Sequence, residues 1–109
     1  MVALSLIGAA GASARDLASP PAGRYACVIV TNDGYGGALF VVDASHYRPA
    51  AGKAGVYAAN RKNLTFKSGS FHGNFKARWF VPKGKRAELV FTSLKTGNVT
   101  HRCTWKAEK

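Results

Sequence analysis

Three histidines, five carboxylates and sixteen Lys and Arg residues are the groups with which this chain of 109 residues could do chemistry. Proton transfer at a substrate needs an acid and a base within hydrogen-bond reach, so His46, His72, His101 and the few carboxylates are the candidates. The most suggestive pair is Glu88 on one β-rich segment and His101 on the next. With a carboxylate as base, a histidine as acid and Arg78 or Arg102 on the phosphate, the result would be a small secreted ribonuclease. Alternation argues against it. Glu88 lies between Ala87 and Leu89 and so faces outward, whereas His101 is in step with Cys103. His101 therefore reads as a core-edge histidine. His46, beside Tyr47, and His72, between Phe71 and Gly73, read as surface or turn histidines. There is no P-loop, HExxH, nucleophile elbow or Ser/His/Asp spacing. Two cysteines and three scattered histidines lack metal-ligand spacing. The expectation is a protein with no catalytic residue, no metal and no cofactor.

The other functional signal is charge. The formal net charge is +11, an extreme value for one small domain and a predictor of attraction to polyanions. Lys76, Arg78, Lys83, Lys85 and Arg86 fall within eleven positions, with Lys95, Arg102 and Lys106 on adjoining segments. If those segments are consecutive antiparallel strands, their outward side chains form one positive field. Phe80 would join it, and an exposed Tyr35 or Tyr47 would add a stacking surface. The expected polyanion-binding residues are Lys76, Arg78, Lys83, Lys85, Arg86, Arg102 and Lys106. The expected partner is an anionic polymer such as lipopolysaccharide, an acidic cell-wall polymer or nucleic acid, or else an acidic protein. The competing reading is a solvated face that serves only solubility.

These residues must be positioned by a single domain, since the length allows no more. An apolar fraction of 47% excludes a wholly disordered basic tail, and no apolar run is long enough to span a membrane as a helix. Residues Val2 to Ala12 are small, apolar and uncharged, and Ala12-Ser13-Ala14 supplies the small-x-small pattern of a signal-peptidase site. The first fourteen residues are thus read as a secretory signal, although its start lacks Lys and Arg. Residues 15–22, with Ser19-Pro20-Pro21, are read as a leader and residues 23–109 as the β domain. An even pair of cysteines in an exported chain predicts a Cys27–Cys103 disulfide and a periplasmic or secreted location.

Alternation dominates the rest. Arg24 to Thr31 places Tyr25, Cys27 and Ile29 on one face. Asn32 to Gly37 carries turn chemistry, and Ala38 to Val42 follows as a short strand. Ser45 to Arg48, Gly55 to Ala58 and Leu64 to Lys67 are further short strands. Phe75, Ala77, Trp79 and Val81 oppose Lys76, Arg78 and Phe80; Val99, His101, Cys103 and Trp105 share a face in the final strand. The fold expected is an all-β antiparallel barrel or sandwich of about six or seven short strands, closed by one disulfide.

Gly23-x-Tyr25-x-Cys27, then Gly55-Val56-Tyr57, then Leu64-x-Phe66-x-Ser68-Gly69-x-Phe71-x-Gly73 and a terminal Cys103 resemble a pattern of small exported bacterial β proteins. The resemblance covers Gly23 to Cys103 and implies a periplasmic or secreted β domain, with no activity attached. The ending Asn98 to Cys103 is faintly similar to the ends of small secreted guanyl ribonucleases, but the Tyr-Pro-His and Glu-Phe-Pro segments of that family are absent. Periplasmic lysozyme inhibitors are likewise small two-cysteine barrels. A barrel binding such a partner, or a small ligand, at its mouth is a further reading, without a match to their signature loops.

Overall fold

The structure, a computed structural model, describes residues 18–32 and 34–107. The segment expected to be a signal, its expected cleavage site, the start of the expected leader and Asp33 lie outside them. The described chain is all-β. Eight strands run in order: β1 (Gly23–Ile29), β2 (Gly34–Val41), β3 (His46–Pro49), β4 (Gly55–Asn60), β5 (Asn63–Phe66), β6 (Phe75–Phe80), β7 (Glu88–Ser93) and β8 (Val99–Ala107). Each pairs antiparallel with the next, and β8 pairs with β1 to close the barrel. The strand count is thus eight rather than six or seven. The two four-residue strands, β3 and β5, fall on the segments Ser45 to Arg48 and Leu64 to Lys67 that were read as strands.

Closure is fixed covalently. Cys27 and Cys103 are direct cross-strand partners in the β1–β8 ladder and are joined by the disulfide. The bond lies on the inward face, where Cys103 is fully buried. Sealing the first strand to the last leaves the sheet no open edge, which removes a template for aggregation.

The turn expected over Asn32 to Gly37 is shorter than its composition suggested, because β2 already begins at Gly34. Gly36 and Gly37 together oppose the single residue Cys27, which is a β-bulge, and Gly37 adopts φ 96°. Glycine at this point lets the strand continue through a conformation closed to most side chains. A second irregularity, between Phe91 and Thr92, slips the β7–β8 pairing. Past it Val99 does not share the inward face of Cys103 and stands 40% exposed.

Inward residues of every strand build the core, from Tyr25 and Leu39 through Leu64 and Trp79 to Leu89 and Phe91. Several are aromatics with a polar tip, and each tip reaches a carbonyl at a barrel end. Tyr25 donates to Pro21 O, Tyr47 to Ser68 O and Tyr57 to Asp43 O, each at 2.7 Å. Trp79 Nε1 donates to Arg61 O at 3.2 Å and Trp105 Nε1 to Ala22 O at 2.9 Å. The rings fill the interior while their donors tie down the connections, so no buried side-chain polar atom among the described residues lacks a partner. Tyr47, expected as an exposed stacking surface, is instead only 1% exposed. Its hydroxyl also accepts from Phe71 N at 2.9 Å, and Phe71 stacks on its ring. The Leu64 to Gly73 motif thereby becomes a plug. Phe66 packs edge-on against Phe71, and a side chain at Gly69 would collide with the Tyr47 hydroxyl.

Two stability predictions follow from this architecture. Replacing both cysteines by alanine frees a loop spanning 76 residues. In the chain-entropy model that costs roughly 4–5 kcal/mol, to be read as a lowered midpoint in denaturant titration, with a steeper slope because the freed unfolded chain exposes more surface. Burial raises the pKa of Tyr25, and burial together with the Asp43 carboxylate pushes Tyr57 up to about 12. The unfolded chain loses these protons first, so stability is complete below about pH 10 and falls as pH rises beyond it. Thermal unfolding at pH 8 and pH 11 measures the difference, and Tyr57→Phe reduces it.

Candidate functional site

Because all strands are sequential neighbours, the connections divide cleanly between two ends of the barrel. The β2–β3, β4–β5 and β6–β7 connections share one end with residues leading into β1 and out of β8. The β1–β2, β3–β4, β5–β6 and β7–β8 connections form the other end, here called the mouth.

The expected basic residues occupy a wall and a rim. Strands β6, β7 and β8 are consecutive and antiparallel, so Lys76 and Arg78 project from the same wall as Arg102, with Val90 between Arg78 and Arg102. Lys83, Lys85 and Arg86 lie in the β6–β7 connection on the far rim, and Lys106 near the end of β8 joins them. All seven are exposed. Lys95 is in the β7–β8 connection, at the mouth, and is not brought to this cluster. Phe80 is half-buried, and Tyr35 is 77% exposed on the far side of β8 and β1, opposite Val28.

Sequence reading missed Arg61 and Lys62 as part of this cluster. Asn60 pairs with Asn63, leaving the two cations as a two-residue turn between β4 and β5. The next strand pairing sets Asn63 opposite Arg78. Lys62, Asn63, Arg78, Trp79 and Phe80 then line a shallow cleft of about 370 Å³ on the far rim. Trp79 organises it. Its backbone N–H donates to Lys62 O at 2.9 Å, its indole N–H to Arg61 O, and the Lys62 ammonium sits 3.8 Å from its ring centroid. Arg61 is held at φ 61°, a left-handed conformation in which glycine or asparagine usually stands. Two adjacent cations in a two-residue turn were the available signal, but only the tertiary pairing joins them to β6.

Among the described residues, one carboxylate pairs with one of the seven expected cations. Glu88 accepts from Arg102 at 3.3 Å on the outer surface. In the β2–β3 connection, at the far-rim end, Asp43 accepts from Ser45 N at 2.9 Å and contacts His46 Nδ1 at 2.8 Å; the Ser45 amide, then His46, holds its pKa below the usual value. Asp43 thus forms the turn that leads into β3. Arg86 donates to Lys106 O at 3.2 Å.

The mouth is chemically different. A cavity of about 170 Å³ lies beneath it, walled by Phe71, Phe75, Phe91, Leu39 and the disulfide. His101 is its titratable side chain. The imidazole packs edge-on to Phe75, and Nδ1 is 2.9 Å from Thr100 Oγ1. Burial lowers the His101 pKa, so the ring is neutral at pH 7. Glu88 points out toward Arg102 while His101 lines the mouth, and the two are not brought together for acid–base work. His72 is exposed in the plug turn. Among the described residues no cluster of three potential metal ligands occurs.

The fold and these surfaces define a small disulfide-closed antiparallel barrel with a cation-rich rim. No family model matches the chain, and comparison with curated proteins and with solved structures gives no significant match. The disulfide is compatible with an oxidising, extracytoplasmic compartment.

The strained turn yields its own prediction. Arg61→Gly removes a left-handed side chain and raises stability by up to about 1 kcal/mol, measured by thermal unfolding. Trp79→Phe, which removes the indole donor to the same carbonyl, lowers it by at least about 1 kcal/mol.

Proposed function

We propose that this domain is an exported, non-enzymatic binding module whose basic wall and far rim hold an anionic polymer of the cell envelope. One observation carries the reading. The two carboxylates whose side chains are described, Asp43 and Glu88, are already engaged by His46 and Arg102, so among the described residues no carboxylate lies within ion-pair distance of Lys76, Arg78, Lys83, Lys85 or Lys106. A surface evolved only to stay soluble would intersperse charges of both signs. Here the wall between β6 and β8 holds a single acid, and the Arg61–Lys62 turn keeps a cation, Arg61, in a left-handed backbone conformation that disfavours it. Sulfated or phosphorylated polymers meet such a surface by releasing counterions, which gives affinity without demanding a shaped pocket.

Heparin and lipopolysaccharide are suitable probes. Binding falls linearly with log salt, and the slope counts the contacts. Arg78→Gln and Lys85→Gln each reduce the slope by about one, whereas Lys53→Gln and Lys95→Gln at the mouth leave it unchanged. Glu88→Gln frees Arg102 and strengthens binding about two- to fivefold. Equal effects of rim and mouth substitutions would show that only total charge matters, and the proposed surface would be wrong.

A further inference from the structure

The mouth cavity stands apart from the cationic rim in position and in chemistry. Its walls are mainly aromatic and aliphatic, and no Lys, Arg, Asp or Glu among the described residues lines it. Its size, about 170 Å³, is close to the roughly 150 Å³ of dry apolar cavities that take up a single benzene ring, and well below the several hundred needed for drug-sized molecules.

Three features keep this space open. The Phe71 plug is fixed from behind by its stack on Tyr47 and its amide bond to the Tyr47 hydroxyl, so it closes the core without filling the cavity. Ala38 and Ala51 carry the smallest side chains on the rim side. Gly36 leaves room for the imidazole, because a Cβ there would lie 2.9 Å from His101 Cδ2 and 3.3 Å from the Cys27 carbonyl oxygen.

His101 supplies the polarity. Its Nδ1 is engaged by Thr100 Oγ1, leaving Nε2 for a ligand. In the neutral ring Nε2 is a donor or an acceptor according to the direction of the Thr100 bond. A hydroxyl group satisfies either tautomer, since it can both give and accept. An anion would have to be stripped of water among aromatic rings with no cation to receive it, at high cost.

We propose that the mouth cavity is a binding site for a neutral, single-ring molecule bearing one hydroxyl, a phenol-class ligand, with its ring among Phe71, Phe75 and Phe91 and its hydroxyl on His101. The site is separate from the polyanion surface, which lies on the outer wall and the far rim, whereas the cavity lies inside the barrel at the mouth.

The test titrates phenol, toluene and benzoate into the full chain, followed by NMR shifts of the Phe75, Phe91 and His101 signals. Phenol binds saturably in the millimolar range or tighter, and benzoate binds at least about tenfold more weakly. Ala51→Leu projects into the cavity from an exposed loop and abolishes phenol binding with the rest of the spectrum retained. His101→Phe keeps a ring but removes its nitrogens; it weakens phenol about fivefold or more and leaves toluene within about twofold. Absence of saturable phenol binding, or phenol binding that persists in Ala51→Leu, overturns the site. Equal loss of phenol and toluene in His101→Phe, or benzoate binding as well as phenol, overturns the role given to His101.

Discussion

Everything in this barrel rests on the seam between its first and last strands. A meander of eight short strands has two edges until β8 finds β1, and the longest loop in the chain must close before that pairing gains anything. Cys27 and Cys103 sit opposite each other at the middle of the seam, on the inward face. The bond converts the costliest contact in the topology from a chance encounter into a permanent one. It also sets which way the seam faces. With both sulfurs inside, the cross-strand pair Tyr25 and Trp105 is drawn toward the core, and Val28 and Arg102 are left outside as the pair next to the disulfide.

Aromatic side chains do the second task, joining the interior to the ends. Hydrophobic burial alone is non-directional and would leave the loops free to choose among conformations. A phenol or indole whose donor must find an acceptor narrows that choice, because burying the group unpaired would cost free energy. Tyr47 shows the effect most fully. One hydroxyl gives to Ser68, receives from Phe71 and so fixes the plug that separates core from mouth.

The sequence made much of this readable where alternation was strong. On β6, Phe75, Ala77 and Trp79 turn inward while Lys76 and Arg78 stay exposed, as their spacing implied. The cysteine pairing was legible as well. Where glycines cluster, composition looked like a turn although the backbone continued as a bulged strand, since glycine serves both. Where a bulge changes register, as between Val99 and His101, parity counted along one strand ceases to hold. Tyr47 misled because a strand of four residues offers too few alternations to separate a buried ring from an exposed one. For the candidate surface, cations close in sequence were found, but Lys95 belongs to the opposite end and Arg61 and Lys62 enter through a hairpin. Linear proximity carries charge density; only the topology says which end receives it.

An even number of strands has a practical corollary for how such a barrel is presented. The polypeptide enters and leaves on one side, with Tyr25 pinning the incoming chain at Pro21 and Trp105 pinning it at Ala22. Any tether, fusion or immobilisation handle joined to either strand end therefore crowds the cationic rim and leaves the opening beside His101 facing away. An affinity resin coupled through a terminus would preferentially sample the wrong pole, and attachment through an engineered thiol on the mouth loops would reverse the orientation.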